Sequence, residues 1–360
     1  MNEKIFAQLL HDLNSEDYAK VEEAANTISA LRDSNALPLI LSALETGSPF
    51  VKRVMLWALR NYSSLDYSLF VSYLSSNDSD VREAAQVLFM EGGETSVEPL
   101  VQVIHSSTDE NMLCSAVETL GQYRAEYVCT PLLSALTSSY ESVREVAAYV
   151  LSVYRTPAVT DGLLTLLSDV PPVVHAALTS LRYRCLNIDQ INQVLSLTSH
   201  ENQDIRAAAV YVLAAHVPDG VADDSHPKVR RAVAEATASV CVIEKLCKDS
   251  DSSVRMAAVE NIQKHGIIMD EMLIPLLTDE NPGVRRAAAA ALGNSSGEKV
   301  ISALIGALSD VKPGVCAAVA SSLGKIGGDE AISALKKYEN IRNPILSGII
   351  KNALSEALKK

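Results

Sequence analysis

The chain has 360 residues, of which 48% are hydrophobic, 5% are aromatic and 21% are charged, and its formal net charge is −13. No apolar run approaches the roughly 20 residues of a membrane-spanning helix, so we expect neither a membrane span nor a membrane partner. The acidic balance argues against a nucleic-acid partner, because affinity for phosphates comes mainly from clustered lysine and arginine. Six scattered cysteines without a C-x-x-C pair indicate reduced, buried thiols and a cytoplasmic protein.

A unit of about thirty residues recurs along the chain. Its clearest copy starts at Asn281-Pro282-Gly283 and continues from Val284 to Gly293. The Pro-Gly pair predicts a turn, and Asp279 or Asn281 can cap the helix that follows. Apolar residues recur at helical spacing as far as Leu292, and a second apolar helix is predicted from Val300 to Leu308. Each unit is therefore predicted to be a pair of helices.

The first apolar residue of the second helix marks each copy of the unit. Successive marks are 30 to 32 residues apart, except for two neighbouring intervals of 24 and 25 residues. This regularity predicts an all-α fold, a right-handed α-solenoid of about twelve helix pairs. The marks are Val21, Val51, Val81, Met112, Val143, Val173, Ile205, Val229, Val254, Val284, Val315 and Ile345.

The pattern Asp-x-x-x-x-Val-Arg-x-Ala-Ala occurs at Asp249–Ala258 and at Asp279–Ala288. It resembles short HEAT repeats and, more narrowly, the HEAT-like repeats of the phycobilisome-lyase type. The resemblance extends over essentially the whole chain. It implies the fold but no single function, because such repeats occur in scaffolds, lyase subunits, a hydroxylase and regulatory proteins.

Arginine recurs at one place in the unit, and several of these arginines follow an acidic residue by two to four positions. We interpret them as a stacked Asp–Arg ladder along the turns. The arginines are Arg53, Arg82, Arg144, Arg206, Arg230, Arg231, Arg255, Arg285 and Arg286.

The two short intervals divide the chain into three parts. Residues 1–215 are predicted to form an aromatic-rich binding half, residues 216–228 a shortened repeat that acts as a pivot, and residues 229–360 the remaining repeats with a capping helix. Two histidines and two aspartates in the shortened repeat match no standard metal-ligand spacing, so we interpret the aspartates as turn formers. These residues are His216, Asp223, Asp224 and His226.

The sequence contains no Gly-x-Ser-x-Gly elbow, no phosphate-binding loop and no zinc signature. Deoxyhypusine hydroxylases, one HEAT family, bind two irons through several His-Glu dipeptides, whereas this chain has only His200-Glu201. We therefore predict no catalytic residue, no cofactor and no metal site. A non-catalytic protein is favoured, although the sequence leaves the question of enzymatic activity open.

Aromatic residues are concentrated in the first part of the chain: the Trp, all four Phe and every Tyr except Tyr338 lie within the first 211 residues. In a HEAT-type stack the second helices line the concave side, and aromatic and arginine side chains often anchor interfaces. The predicted partner-binding strip consists of Arg53, Trp57, Arg60, Tyr149, His175, Arg182 and Tyr211. The competing interpretation is that these side chains fill grooves between repeats.

We therefore expect a scaffold, adaptor or assembly factor that binds another protein, one with a basic patch because of the acidic charge. The resemblance implies an alternative, a bilin lyase-like protein or chromophore chaperone. It would place a tetrapyrrole among the aromatics, with an arginine for the propionates and His175 or Cys114 near the pigment. A DNA-binding glycosylase with HEAT-like repeats is a third hypothesis and would require a basic groove.

Overall fold

The computed structural model describes residues 3–62, 64–340 and 343–359, and these residues form α-helices, short 3₁₀ segments and turns without any β-strand. The predicted all-α class is confirmed. The helices are α1 Glu3–Leu13, α2 Tyr18–Ser29, α3 Leu37–Thr46, α4 Pro49–Leu59, α5 Ser79–Gly92, α6 Val97–Ser106, α7 Glu110–Gln122, α8 Cys129–Ala135, α9 Glu141–Val150, α10 Pro157–Thr165, α11 Pro171–Leu181, α12 Ile188–Ser196, α13 Gln203–Leu213, α14 Pro227–Ala236, α15 Val240–Leu246, α16 Ser252–His265, α17 Asp270–Leu276, α18 Pro282–Leu292, α19 Glu298–Ala307, α20 Pro313–Ile326, α21 Asp329–Tyr338 and α22 Pro344–Ala357.

The first of two compact units covers Met1–Arg184 and consists of two rows of elements. One row contains α1, α3, the 3₁₀ segment Tyr67–Ser75, α6, α8 and α10, which are the first elements of successive pairs. The other row, here called the second-helix row, contains α2, α4, α5, α7, α9 and α11, each packed on the next. Each first element also packs on the second helix of its own pair.

The second unit, Cys185–Lys360, repeats this arrangement. Its first elements are α12, the 3₁₀ segment Asp219–Asp223, α15, α17, α19 and α21, and its second helices are α13, α14, α16, α18, α20 and α22. One apolar cluster runs through these pairs from Ala207 to Ala357. A core that continues from pair to pair is the hallmark of a solenoid, so the predicted fold class is confirmed in each unit.

The repeat marks identify the buried face of most second helices. In α4, Val51 and the residues three, four, seven and eight positions later are buried, as helical spacing requires. The last mark is wrong by one residue: Ile345 is 78% exposed, whereas Leu346 and Ile350 are buried in α22.

An arginine ladder joins successive repeats through bonds such as those of Arg255. The Nε and Nη2 atoms of Arg255 donate to the two carboxylate oxygens of Asp279, both at 2.8 Å. Its Nη1 atom donates to the backbone carbonyls of Asp249 and Ser250 at 2.8 and 3.1 Å. Asp279 also accepts the backbone N–H of Asn281 at 2.8 Å. The ladder arginines that make the same bidentate contact form the pairs Arg144–Asp169, Arg206–Asp224, Arg230–Asp249 and Arg285–Asp310.

The ladder is confirmed for Arg144, Arg206, Arg230, Arg255 and Arg285, and Arg53 pairs with Asp80 of the following repeat. Two predicted members bond elsewhere: Arg231 pairs with Glu235 of its own helix, and Arg82 donates to the carbonyl of Ser76. The acidic partner of each ladder arginine is not the residue that precedes it. Asp251, which precedes Arg255, instead caps its own helix by accepting the backbone N–H of Ser253 at 2.8 Å. The partner comes from the turn of the following repeat, 18 residues later for Arg206 and 24 for Arg255. Cys316 occupies the arginine position in α20, and its Sγ donates to the carbonyl of Asp310 at 3.1 Å.

In the shortened repeat, the 3₁₀ segment Asp219–Asp223 stands where other pairs have a first helix. Its polar side chains make contacts within the fold: Asp224 accepts Arg206, and Asp223 pairs with Lys245 at 2.5 Å. The Nδ1 atom of His226 caps α14 by accepting the N–H of Lys228 at 3.2 Å. Residues 216–228 lie inside the second compact unit. The three-part division and the pivot remain predictions.

The prediction of buried cysteines is wrong for two of the six. Cys129, Cys247 and Cys316 are buried and Cys114 is half-buried, but Cys185 and Cys241 are exposed. None of the helices in the described ranges is both long and apolar enough to cross a membrane.

Candidate functional site

Helix α4 presents the first group of predicted site residues to solvent. Ser48 caps the helix by accepting the N–H of Val51 at 3.4 Å, and Pro49 occupies the first turn. Trp57 follows Arg53 by one helical turn, so the two side chains share a face. The indole of Trp57 is 49% exposed although its helix is otherwise largely buried.

Arg53 and Arg60 connect α4 to α5 through ion pairs. Arg53 Nη1 lies 2.5 Å from Asp80 Oδ2, and its guanidinium lies 5.2 Å from the ring centroid of Phe50. Arg60 makes a bidentate pair with Glu91, and the hydrogen bonds that it donates to the Glu91 carboxylate raise the pKa of Arg60. About a third of each arginine side chain stays exposed, so both guanidinium groups are held in place and remain accessible.

Tyr149 occupies the same repeat position in α9 that Trp57 occupies in α4, and it is 41% exposed. Helices α5 and α7 lie between them in the second-helix row. Three steps of 8–10 Å between neighbouring axes separate the two rings by roughly 25–30 Å. Burial, with a smaller effect of Glu145, raises the pKa of Tyr149, so its hydroxyl remains a neutral hydrogen-bond donor at physiological pH.

Carboxylates near Cys114 lie on α7 and on α9, the helix that carries Tyr149. The Sγ of Cys114 donates to Ser142 Oγ at 3.4 Å, and that hydroxyl donates to Glu110 Oε1 at 2.5 Å. Burial raises the pKa of the Cys114 thiol, and the negative charges of Glu118, Glu110 and Glu145 add to the rise. Sequence reasoning assigned no role to these carboxylates, although Glu118 lies at the Trp57 position of its repeat and Glu145 at the Arg53 position.

His175 and Arg182 belong to the next helix of the row, α11 and its C-terminal end. His175 is half-buried. The guanidinium of Arg182 lies 4.8 Å from the ring centroid of Tyr183, which is 79% exposed. Six of the seven predicted residues therefore lie on the second-helix row of the first unit.

The seventh predicted residue, Tyr211, belongs to α13 in the second unit. Its hydroxyl donates to Glu235 Oε2 at 2.7 Å, and the other oxygen of Glu235 accepts Arg231 Nε at 2.8 Å. Tyr211 is thus part of a local polar network between α13 and α14 of the second unit.

Stacked pairs of short antiparallel helices define an α-helical repeat protein. A family model described as HEAT repeats matches residues 97–182 and 270–346. HEAT repeats are therefore present in these two segments of the chain. No curated protein has a sequence that matches it.

Several solved structures share this fold. The structure of Kap121p bound to Pho4p is 14% identical with a TM-score of 0.64, and the match covers 100% of this chain and 50% of Kap121p. Importin beta in an ammonium sulfate condition is 13% identical with a TM-score of 0.60, over 99% of this chain and 61% of its own. Kap95p, described with RanGDP, is 12% identical with a TM-score of 0.59, over 98% and 60%. The chain thus spans half to three fifths of these proteins, and identities this low show the fold alone.

Proposed function

We propose that the chain is a non-catalytic protein-binding scaffold whose partner docks on the second-helix row of the first unit. The observation that carries the proposal is the exposure of Trp57 and Tyr149 at equivalent positions of that row, 49% and 41%. In the same unit Phe70 and Phe89 are almost completely buried, at 1% and 0%. Exposed Trp and Tyr side chains flanked by arginine are the usual anchors of protein interfaces.

The charges on α7 and α9 indicate the chemistry of the partner. Glu110, Glu118 and Glu145 surround Cys114, and the whole chain carries a net charge of −13. A basic segment would be attracted electrostatically, and the attraction would raise the association rate more than the affinity. An extended segment of about eight residues, at roughly 3.3 Å per residue, would reach from Trp57 to Tyr149.

The solved structures support a protein as the class of partner. Kap121p was solved bound to Pho4p, and Kap95p is described as binding RanGDP, so proteins of this fold hold other proteins. We extend this to the present chain on the basis of its own exposed rings. More specifically, we propose that the chain acts as an adaptor or assembly factor in the cytoplasm.

Replacing both rings tests the proposed face. W57A/Y149A and wild-type protein are used as baits for quantitative mass spectrometry of captured proteins, with Y127A as the matched control. Tyr127 is equally exposed, at 48%, but precedes α8 in the row of first elements. We expect specific partners to fall by about tenfold or more with W57A/Y149A, since anchor residues often contribute 2 kcal/mol or more each.

Two results would contradict the proposed face. An equal loss of captured partners with Y127A would show that the effect is not specific to this face. A large fall in the melting temperature of W57A/Y149A would show that the two rings stabilise the packing of the repeats.

A further variant, E118K/E145K, should weaken the capture of basic partners and make that capture less dependent on salt. Unchanged capture by that variant would remove the electrostatic part of the proposal.

The tetrapyrrole alternative depends on a different chemistry. A cysteine attacks as a thiolate, and the raised pKa of Cys114 reduces the thiolate fraction. The small thiolate fraction of Cys114 argues against covalent attachment of a pigment there. Mixing the protein with a bilin tests the alternative directly, because a visible absorption band of the bilin that does not shift would contradict it.

The glycosylase hypothesis requires a basic groove, so failure of the protein to bind heparin at moderate salt would contradict it.

A further inference from the structure

A second candidate interaction surface lies in the second unit, on the row of first elements. It is an open groove of about 560 Å³ between α15 and α17, here called the α15–α17 groove. The residues that line it are Val240, Glu244, Ile267, Ile268, Met269, Asp270, Glu271 and Met272.

The groove lies between two short helices. Helices α15 and α17 have 7 residues each, whereas α19 and α21 have 10 each. Helix α16 ends at Gly266, whose φ of 64° is left-handed, and the N–H of Ile267 bonds back to the carbonyl of Ile262 at 3.1 Å. This helix end directs Ile267–Met269 across the gap towards α17. A short α15 cannot cover that connection.

The uncovered side chains are apolar. Ile268 is 70% exposed and Val240 is 45% exposed, while Met269 and Met272 are half-buried beneath them. Two methionines give the surface flexible, polarizable side chains that adapt to a bound apolar group. Exposed aliphatic side chains concentrated in one groove are typical of docking sites, whereas isolated ones are common on any surface.

The charges of the groove are all of one sign. Glu244, Asp270 and Glu271 are among its lining residues, and no lysine or arginine is. Asp270 accepts the hydroxyl of Ser295 at 2.7 Å, and Glu244 and Glu271 are exposed at the rim. An apolar floor with an acidic rim complements an apolar surface that has basic edges.

We propose that the α15–α17 groove binds a short amphipathic helix of a partner protein, with apolar side chains against Val240, Ile268 and Met272 and with lysine or arginine beside Glu244 and Glu271. Amphipathic helices commonly bind apolar grooves in this way. A second copy of this chain fits less well, because it would bring a net charge of −13 to an acidic rim. A small ligand fits less well too, since an open groove cannot enclose most of its surface.

A model peptide tests this proposal without knowledge of the natural partner. The probe is a fluorescein-labelled helix of about four turns, or roughly 14 residues, with leucine on one face and lysine on the other. Its counterpart has glutamate in place of lysine. Fluorescence anisotropy at physiological salt is measured on the full chain, on I268S, on E244K/E271K and on the control V311S. Val311 is 84% exposed in the same unit but does not line the groove.

We expect I268S to weaken binding of the leucine–lysine peptide by about tenfold, because the lost isoleucine contact is apolar burial. V311S should leave the affinity unchanged. E244K/E271K should weaken the leucine–lysine peptide and strengthen the leucine–glutamate peptide. W57A/Y149A should bind the probe as the wild type does, since the groove is independent of the face proposed above. Each variant should fold as the wild type does, because only exposed side chains are replaced. Circular dichroism checks this.

Four outcomes would overturn the proposal. The first is equal affinity of wild type and I268S for the leucine–lysine peptide, and the second is equal affinity of the wild type for both peptides. The third is a wild-type dimer in analytical ultracentrifugation that becomes a monomer in I268S, which would assign the groove to a second copy. Loss of probe binding in W57A/Y149A would instead move the probe site to the first unit and leave the groove without support.

Discussion

Replacing Arg255 with methionine removes one partner from a buried ion pair in the arginine ladder. The side chains of Arg255 and Asp279 are only 9% and 7% exposed. R255M would leave the Asp279 carboxylate with the N–H of Asn281 as its remaining hydrogen bond, and it would also release the carbonyls of Asp249 and Ser250. Breaking a buried pair from one side costs about 3–5 kcal/mol. The nearby charge of Arg285, which also lowers the pKa of Asp279, partly compensates, so we expect the lower end of that range.

Two comparison variants separate the buried pair from other effects. R53M breaks the pair of Arg53 with Asp80, whose side chains are 35% and 58% exposed, and should cost only about 0–1 kcal/mol. R255M/D279N leaves no buried charge, and the Asn oxygen can still accept the N–H of Asn281. We therefore expect the double variant to be more stable than R255M alone by about 1–2 kcal/mol, a coupling that a double-mutant cycle reveals.

Urea unfolding followed by far-UV circular dichroism measures these free energies, and hydrogen exchange locates the loss along the chain. Hydrogen exchange is needed because repeat proteins can unfold in parts. The reasoning is refuted if R255M costs no more than R53M. A double variant less stable than R255M would also refute it, since the cost would then not come from an unpaired buried carboxylate.

Three further predictions concern the ladder, the helix contacts and the shortened repeat. Hydrogen bonds from arginine lower the pKa values of Asp169 and Asp310 in the folded protein. These carboxylates therefore stabilise the fold fully above their unfolded-state pKa of about 3.9, and the stabilisation is lost as the pH falls through their folded-state pKa values. Acid unfolding curves should therefore decline from about pH 4 downwards, and less steeply for D310N; an identical slope would contradict this. G324A should destabilise the protein by about 1–3 kcal/mol, because a Cβ there would lie 2.8 Å from backbone atoms of α22. G306A should instead stabilise the protein by up to about 1 kcal/mol, because Gly306 lies in a helix and its Cβ would enter open space. Thermal unfolding of the two variants compares their stabilities. Backbone amides in residues 216–227 should exchange faster than those of α13 and α14, and uniform protection would remove the proposed pivot.

Much of the fold could be predicted because its signals are local. Asn281 caps α18 by accepting the N–H of Gly283 at 2.7 Å, two residues away. The apolar spacing in α4 likewise identifies its buried face over eleven residues. Gly293 follows the last residue of α18, as expected for a glycine that ends a helix, but its φ of −65° does not itself call for glycine. A Cβ at this position would lie 2.7 Å from Ser322 Oγ in α20. Glycine is required there by the close approach of a neighbouring repeat, which no local pattern reveals.

The candidate site shows the same limit. The outward positions of Trp57 and Tyr149 follow from helical spacing, and both are exposed. That spacing could not reveal that Arg53 and Arg60 are bonded to α5, or that Tyr211 is bonded to Glu235. It also could not show which apolar residues a shortened helix leaves uncovered, as at Ile268.

The amino-acid sequence by itself determined the helix pairs, their period and the recurrence of arginine in many of the repeats, because caps and apolar faces act within one or two helical turns. Only the tertiary structure decided the acidic partner of each arginine, the glycines that permit close helix contact and the exposure of the α15–α17 groove. Each of these depends on atoms contributed by the neighbouring repeat, 18 or more residues away in the chain. The packing of one repeat on the next brings such atoms together.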